Sequence, residues 1–192
     1  MPKLWSETID EHRRAVRDSI LESAARLAIE HGVSSVTMSQ VAEEAGIGRA
    51  TLYKYFPDVG TILSAWHEQQ VGNHLGQLVA AGAAESDASQ RLDILLSTYA
   101  RILRESRRHH DTDLGALVHH GGSHVVHAEQ ELRQLMADSI GAAAGIGAVR
   151  ADVPAAELAG YCLHALDAAV AATSDAAVAR LIRVIRAGLD PI

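Results

Sequence analysis

Apolar positions recur along this chain at helical spacing, and no stretch alternates as a half-buried strand would. Ile20, Ala24, Leu27 and Ala28 fall on one face of a first helix. Thr8-Ile9-Asp10-Glu11 offers that helix a T-x-x-E capping box, and Gly32 offers it a left-handed stop. A second box, Thr37-Met38-Ser39-Gln40, opens a short helix that ends at Gly46. A third helix of seven or eight residues is expected from Arg49 to Phe56, where Pro57 prevents continuation.

Beyond Pro57 the segments lengthen. Thr61 to about Gly82 reads as one helix, closed by the polar loop Glu85–Ser89. Leu92, Leu95, Leu96, Tyr99, Ile102 and Leu103 form the apolar stripe of another, followed by a polar connector over Arg107–Asp113. After a second connector at Gly121-Gly122-Ser123, Leu132, Leu135, Met136 and Ile140 mark the next helix. Gly145 to Pro154 is a linker, and two last helices are expected over Ala155–Thr173 and Asp175–Leu189. The pattern predicts an all-α fold: a three-helix head at residues 1–60 joined to a larger helical body at residues 61–192.

Composition narrows the class. With 192 residues, 48% hydrophobic and 21% charged, the chain is built to fold rather than to stay disordered. No run approaches the ~18 apolar residues of a membrane span, and Met-Pro-Lys-Leu-Trp-Ser-Glu lacks the apolar core of a secretory signal. A single cysteine, Cys162, cannot form an intramolecular disulfide. Together these predict a cytoplasmic protein without a membrane partner. No G-x-S-x-G, H-E-x-x-H or phosphate-binding loop occurs, so an enzyme is not expected, and no cofactor is implied.

A short helix, a glycine-containing turn and a second short helix make a helix-turn-helix. Ala42 and Ala45 are small where the two helices cross, and Gly46 suits the positive φ that reverses the chain. Val41, Ile47, Leu52 and Phe56 are available to bury against Ile20, Ala24 and Leu27, which leaves Arg49, Ala50, Thr51, Tyr53, Lys54 and Tyr55 outward. That face suits DNA: an arginine forks onto a guanine edge, and hydroxyls and a lysine reach phosphates. Arg13, Arg14 and Arg17 share one side of the first helix and could grip the flanking backbone. Each of these charges read singly is equally a solvated surface residue. Net charge is −7, and residues 1–60 carry seven Lys or Arg against nine Asp or Glu. Binding must therefore rest on where charge is placed rather than on a broad basic coat.

Eleven histidines are many for this length, and His120, His124 and His127 stand at i, i+4 and i+7. On one continuous helix that spacing would aim three imidazoles the same way, as a metal site needs, although Gly121-Gly122 interrupts it. Solvated or pocket-lining histidines are the other reading. A metal-responsive regulator using the His-rich segment 109–127 is accordingly the alternative function.

The segment Ile20–Phe56, ILESAARLAIEHGVSSVTMSQVAEEAGIGRATLYKYF, resembles the N-terminal domain of the TetR family of bacterial transcriptional regulators. The resemblance is carried by AA-x-L-A, the following Gly and Thr, VAEEAGI, TLY and F-P, in that order. It implies a sequence-specific DNA-binding regulator, a homodimeric repressor released from double-stranded operator DNA by a small-molecule effector. The DNA-contacting residues it implies are Thr37, Ser39 and Gln40 on the second helix, and Arg49, Ala50, Thr51, Tyr53, Lys54 and Tyr55 on the third. The body would bind the effector and dimerise through its last two helices. Trp66, His67, Gln70, Tyr99, Leu103, Leu117 and His164 are candidate lining residues, although each read singly is more often a core position. Two departures stand out. Gly48 opens the third helix where the family often has Ser, and Val59-Gly60 occupy the position of a usual lysine.

Overall fold

The computed structural model describes residues 3–110 and 123–191, and among these it is helical without a strand. The helices are α1 (Lys3–His31), α2 (Met38–Glu44), α3 (Arg49–Tyr55), α4 (Val59–Ala83), α5 (Ala88–His110), α6 (Ser123–Gly145), α7 (Ala155–Leu166) and α8 (Asp175–Ala187). Short 3-10 turns lie at Val33–Ser35 and Asp167–Ala171. The described residues divide into two compact units, one over 3–70 with 109–110 and one over 71–108 and 123–191. The division falls within α4.

In the first unit α1 is the spine. Ile20, Leu21, Ala24, Ala25, Leu27 and Ala28 are buried at helical spacing and meet Val41 and Ala42 of α2, Leu52 of α3, Phe56, and Ile62, Leu63 and Trp66 of α4. Burial of such side chains is the main driving force available to a domain this small. One expectation about α1 is corrected. The helix begins at Lys3, so Thr8 lies inside it and the Thr8–Glu11 box does not open it. The residues ahead of Thr8 are themselves compatible with helix, and a capping pattern within a helical run starts nothing.

The second unit is built on Leu92, Leu95, Leu96 and Ile102 of α5, Met136 and Ile140 of α6, Leu158, Cys162, Leu163 and Leu166 of α7, and Val178 and Ile185 of α8. α6 and α7 pack along one another. At the end of α6 the amide of Ala148 donates to the Ala143 carbonyl and that of Gly147 to Ala144, both at 2.9 Å, while Gly147 takes φ 74°. These two bonds are a Schellman stop. The expected helix over Ala155–Thr173 proves shorter: α-helix ends at Leu166 and the chain tightens into the 3-10 turn before Ser174 caps α8 through its bond from the Ala177 amide. The segment over Arg107–Asp113, expected as a connector, is helical as far as His110.

Ion pairs brace the second unit. Arg186 of α8 donates from Nε to Asp93 of α5 at 2.7 Å and from a terminal nitrogen to Ser89 at 3.0 Å. Arg104 of α5 pairs with Asp175. Tyr161 of α7 closes over the end of α8, where its hydroxyl lies 2.9 Å from the position a Cβ on Gly188 would take. No helix among the described residues is long and apolar enough to cross a membrane.

Candidate nucleic-acid interface

Thr37 opens α2 as the sequence anticipates. Its side-chain oxygen accepts from the Gln40 amide at 3.3 Å, and Gln40 Oε1 accepts from the Thr37 amide at 2.9 Å. The Thr37 hydroxyl also donates to Gln40 Oε1 at 2.7 Å. Two amides that the helix start would leave unpaired are thus satisfied reciprocally. The Gln40 carbonyl oxygen is committed to the cap, so its NH2 is the end that remains to donate outward. Ser39 is exposed beside it.

The turn out of α2 follows the same logic. Gly46 adopts φ 66°, its amide donates to Glu43 O at 3.1 Å, and the Ile47 amide donates to Ala42 O at 2.9 Å. This is a second Schellman stop, and it reverses the chain within three residues. The Cα of Gly46 carries the one conformation here that an L side chain adopts only with strain. Gly48 then precedes α3 without a side-chain cap.

Two anchors fix the rotation of α3 about its axis. Leu52 is 0% exposed and Phe56, its C-terminal cap, is 5% exposed. With these turned inward, Arg49, Ala50, Thr51, Tyr53 and Lys54 are exposed, and Tyr53 shows 50% of its surface. Tyr55 differs from the rest of the expected set. It is half-buried and packs against the first-unit core, so its ring contributes to the fold of the head. Arg49 sits in the first turn of α3, where the helix dipole disfavours a cation by a few tenths of a kcal/mol, so an anionic neighbour would be welcome there. The exposed acids of the head lie elsewhere: Glu43 and Glu44 are on α2, and Glu44 is paired with Arg26 of α1.

Three features of the head escaped the sequence reading. Asp58 caps α4, with its Oδ1 accepting from the Thr61 amide at 2.7 Å and the Thr61 hydroxyl at 3.0 Å. These hydrogen bonds, the backbone one foremost, hold its carboxyl below the ordinary value of 3.8. The D-x-x-T spacing ahead of Val59 was the available signal, and α4 accordingly starts earlier than Thr61. The second is Arg17 of α1, whose guanidinium carbon lies 5.6 Å from the centroid of the Phe56 ring. The third is the bond from Gln69 to Asp18, across 51 residues of sequence.

The other expected site residues distribute as follows. Trp66 is buried in the first-unit core, and His67 and Gln70 are half-buried in the same unit. Tyr99 and Leu103 pack against the second-unit core. Burial, reinforced by the negative charges of Asp167 and Glu129, pushes the Tyr99 phenol up to about 12. His164 is exposed, with its Nδ1 bonded to the Gly160 carbonyl at 2.8 Å. Leu117 and His120 lie outside the described residues. His124 falls in the first turn of α6, and His127 of the same helix pairs with Glu131 at 2.8 Å.

An outward polar face on the second of two short helices, held by a glycine-stopped turn, defines a helix-turn-helix domain. Residues 20–64 match the family of bacterial regulatory proteins named after tetR. An uncharacterised HTH-type transcriptional regulator of Mycobacterium tuberculosis is 30% identical over 90 residues, which are 46% of this chain and 44% of that protein. The chain thus spans less than half the length of such relatives. A TetR/AcrR-family regulator from Thermobifida fusca shares the fold, with a TM-score of 0.77 over 90% of this chain and 97% of that one at 19% identity. AibR, solved with isovaleryl coenzyme A and operator DNA, does so with a TM-score of 0.63 over 91% and 97% at 14% identity.

Proposed function

We propose that the chain is a sequence-specific DNA-binding transcriptional regulator, a homodimeric repressor whose hold on its operator is released by a small-molecule effector. The observation that carries this reading is the face of α3. Leu52 and Phe56 lock the helix so that an arginine, a threonine, a tyrosine and a lysine stand outward together, with no acid among them. Arg49 is suited to a guanine edge, and Thr51, Tyr53 and Lys54 to phosphates or a thymine methyl. AibR, which has this fold, was solved on operator DNA. In this reading residues 1–60 contact DNA, and residues 61–192 take the effector and form the dimer through α7 and α8. The protein works in the cytoplasm, and two copies of α3 enter successive major grooves roughly 34–36 Å apart. An effector that prefers a body conformation with a different separation shifts the population off DNA.

The test is selection of duplexes from a random-sequence library by the full chain, followed by band-shift. A palindromic sequence should be enriched and bound with strong salt dependence, and Tyr53→Ala with Lys54→Ala should weaken binding. Equal affinity for the enriched and the scrambled duplex overturns the reading.

A further inference from the structure

We propose that α1 carries a second DNA-backbone contact, in which Arg13 and Arg14 grip phosphates flanking the base pairs faced by α3. This rests on the DNA-binding reading of the head and adds to it a surface on a different helix. α1 starts at Lys3, well ahead of Ile20 where the family match begins, so Arg13 and Arg14 lie outside the shared segment. Both are exposed, and among the described residues neither has an ion-pair or hydrogen-bond partner.

Two contacts hold the inner end of this stretch in a fixed place. The Arg17 guanidinium lies over Phe56, the residue that terminates α3. Its neighbour Asp18 accepts from Gln69 of α4 at 2.9 Å. Arg13 and Arg14 stand four and three residues before Arg17, so all three share one face of α1. They lie only about 6 Å further along the helix, within the reach of one arginine side chain. A basic face is therefore tethered to the C-terminal end of the helix whose exposed side faces DNA. Asp10 shares that face, and Glu11 and Asp18 stand three and four residues from Arg14, but among the described residues none of the three pairs with Arg13 or Arg14, so both guanidinium groups are left to meet an anion. Phosphate is the partner such a face fits: guanidinium–phosphate pairing needs charge and reach rather than base-edge geometry.

The experiment uses the full chain and the duplex that wild type enriches from a random-sequence library, with affinity followed over a range of KCl concentrations. The Arg13→Ala/Arg14→Ala double variant should enrich the same sequence as wild type but bind it at least tenfold more weakly at low salt. Its log–log salt slope should fall by ~0.9 for each phosphate that the variant no longer neutralises. Arg13→Lys/Arg14→Lys should restore most of the slope. An unchanged melting temperature for the Ala variant separates the effect from unfolding. If the Ala variant matches wild type in affinity and slope on an enriched duplex, α1 stays off the DNA and the reading of α3 stands. If wild type enriches no sequence, both fall.

Discussion

Gln69, near the end of the first unit's stretch of α4, donates an Nε2 hydrogen to Asp18 of α1 at 2.9 Å. The bond ties the spine of the head to the helix that leaves it, and it is partly buried. Gln69→Ala removes the donor and leaves a carboxylate that water re-solvates only in part. A hydrogen bond to a charged group contributes about 1.5–3 kcal/mol when well shielded, so a smaller loss of about 1 kcal/mol is expected for this partly buried one. Urea unfolding of the variant reads it as a lowered midpoint at constant slope. An unchanged midpoint means that the tether is cosmetic.

Gly46 stands at φ 66° with nothing within 4 Å of where a Cβ would sit. Substitution there is strained by the backbone alone. Gly46→Ala should lower stability by about 1 kcal/mol, and Gly46→Asn by less, because asparagine tolerates the left-handed region better. Thermal melts of both variants check the order. An alanine variant as stable as wild type contradicts the φ assigned to this turn.

Asp58 gives the head a defined acid sensitivity. Its folded carboxyl titrates below 3.8, so its stabilising effect is complete above that pH and disappears as pH falls through the lowered value. Asp58→Asn keeps a good cap acceptor and removes the charge that titrates. Its melting temperature should stay near that of wild type at neutral pH and fall less steeply on acidification. Parallel acid profiles for the two proteins count against the cap as a source of the pH dependence.

Val184 projects from α8 with 66% of its surface exposed, and Tyr161 of α7 shows 45%. In the proposed homodimer these apolar residues are covered by the partner copy. Val184→Glu should change the fold stability by less than about 0.5 kcal/mol, since exposed sites tolerate such changes. It should convert a dimer to monomer in light scattering. A variant that remains dimeric moves the interface away from α7 and α8.

Most of the head was legible because its decisive signals are local. The Thr37–Gln40 box and the glycine stop at Gly46 each act over four or five residues, and both occur where their residue types require. The i, i+4 spacing of Leu52 and Phe56 fixed the outward set on α3 except for Tyr55, whose half-buried placement depends on how α3 rolls against a core contributed by other helices. Periodicity alone cannot report that roll. The contacts that position α1, Arg17 on Phe56 and Gln69 on Asp18, join residues far apart in sequence and leave no local trace. The body shows the opposite weakness. An alanine-rich run such as Ala155–Thr173 carries no residue that marks where α-helix tightens to a 3-10 turn, so the change at Asp167 came only with tertiary packing.

Cys162 is fully buried, and desolvation pushes its thiol up to about 11. Because it is the one sulfhydryl in the sequence, the folded protein should be silent toward maleimides at neutral pH. A cysteine placed at Ala50 would thus be the sole reactive label on the molecule, and a fluorophore there would report α3 meeting a duplex without any native residue first being removed.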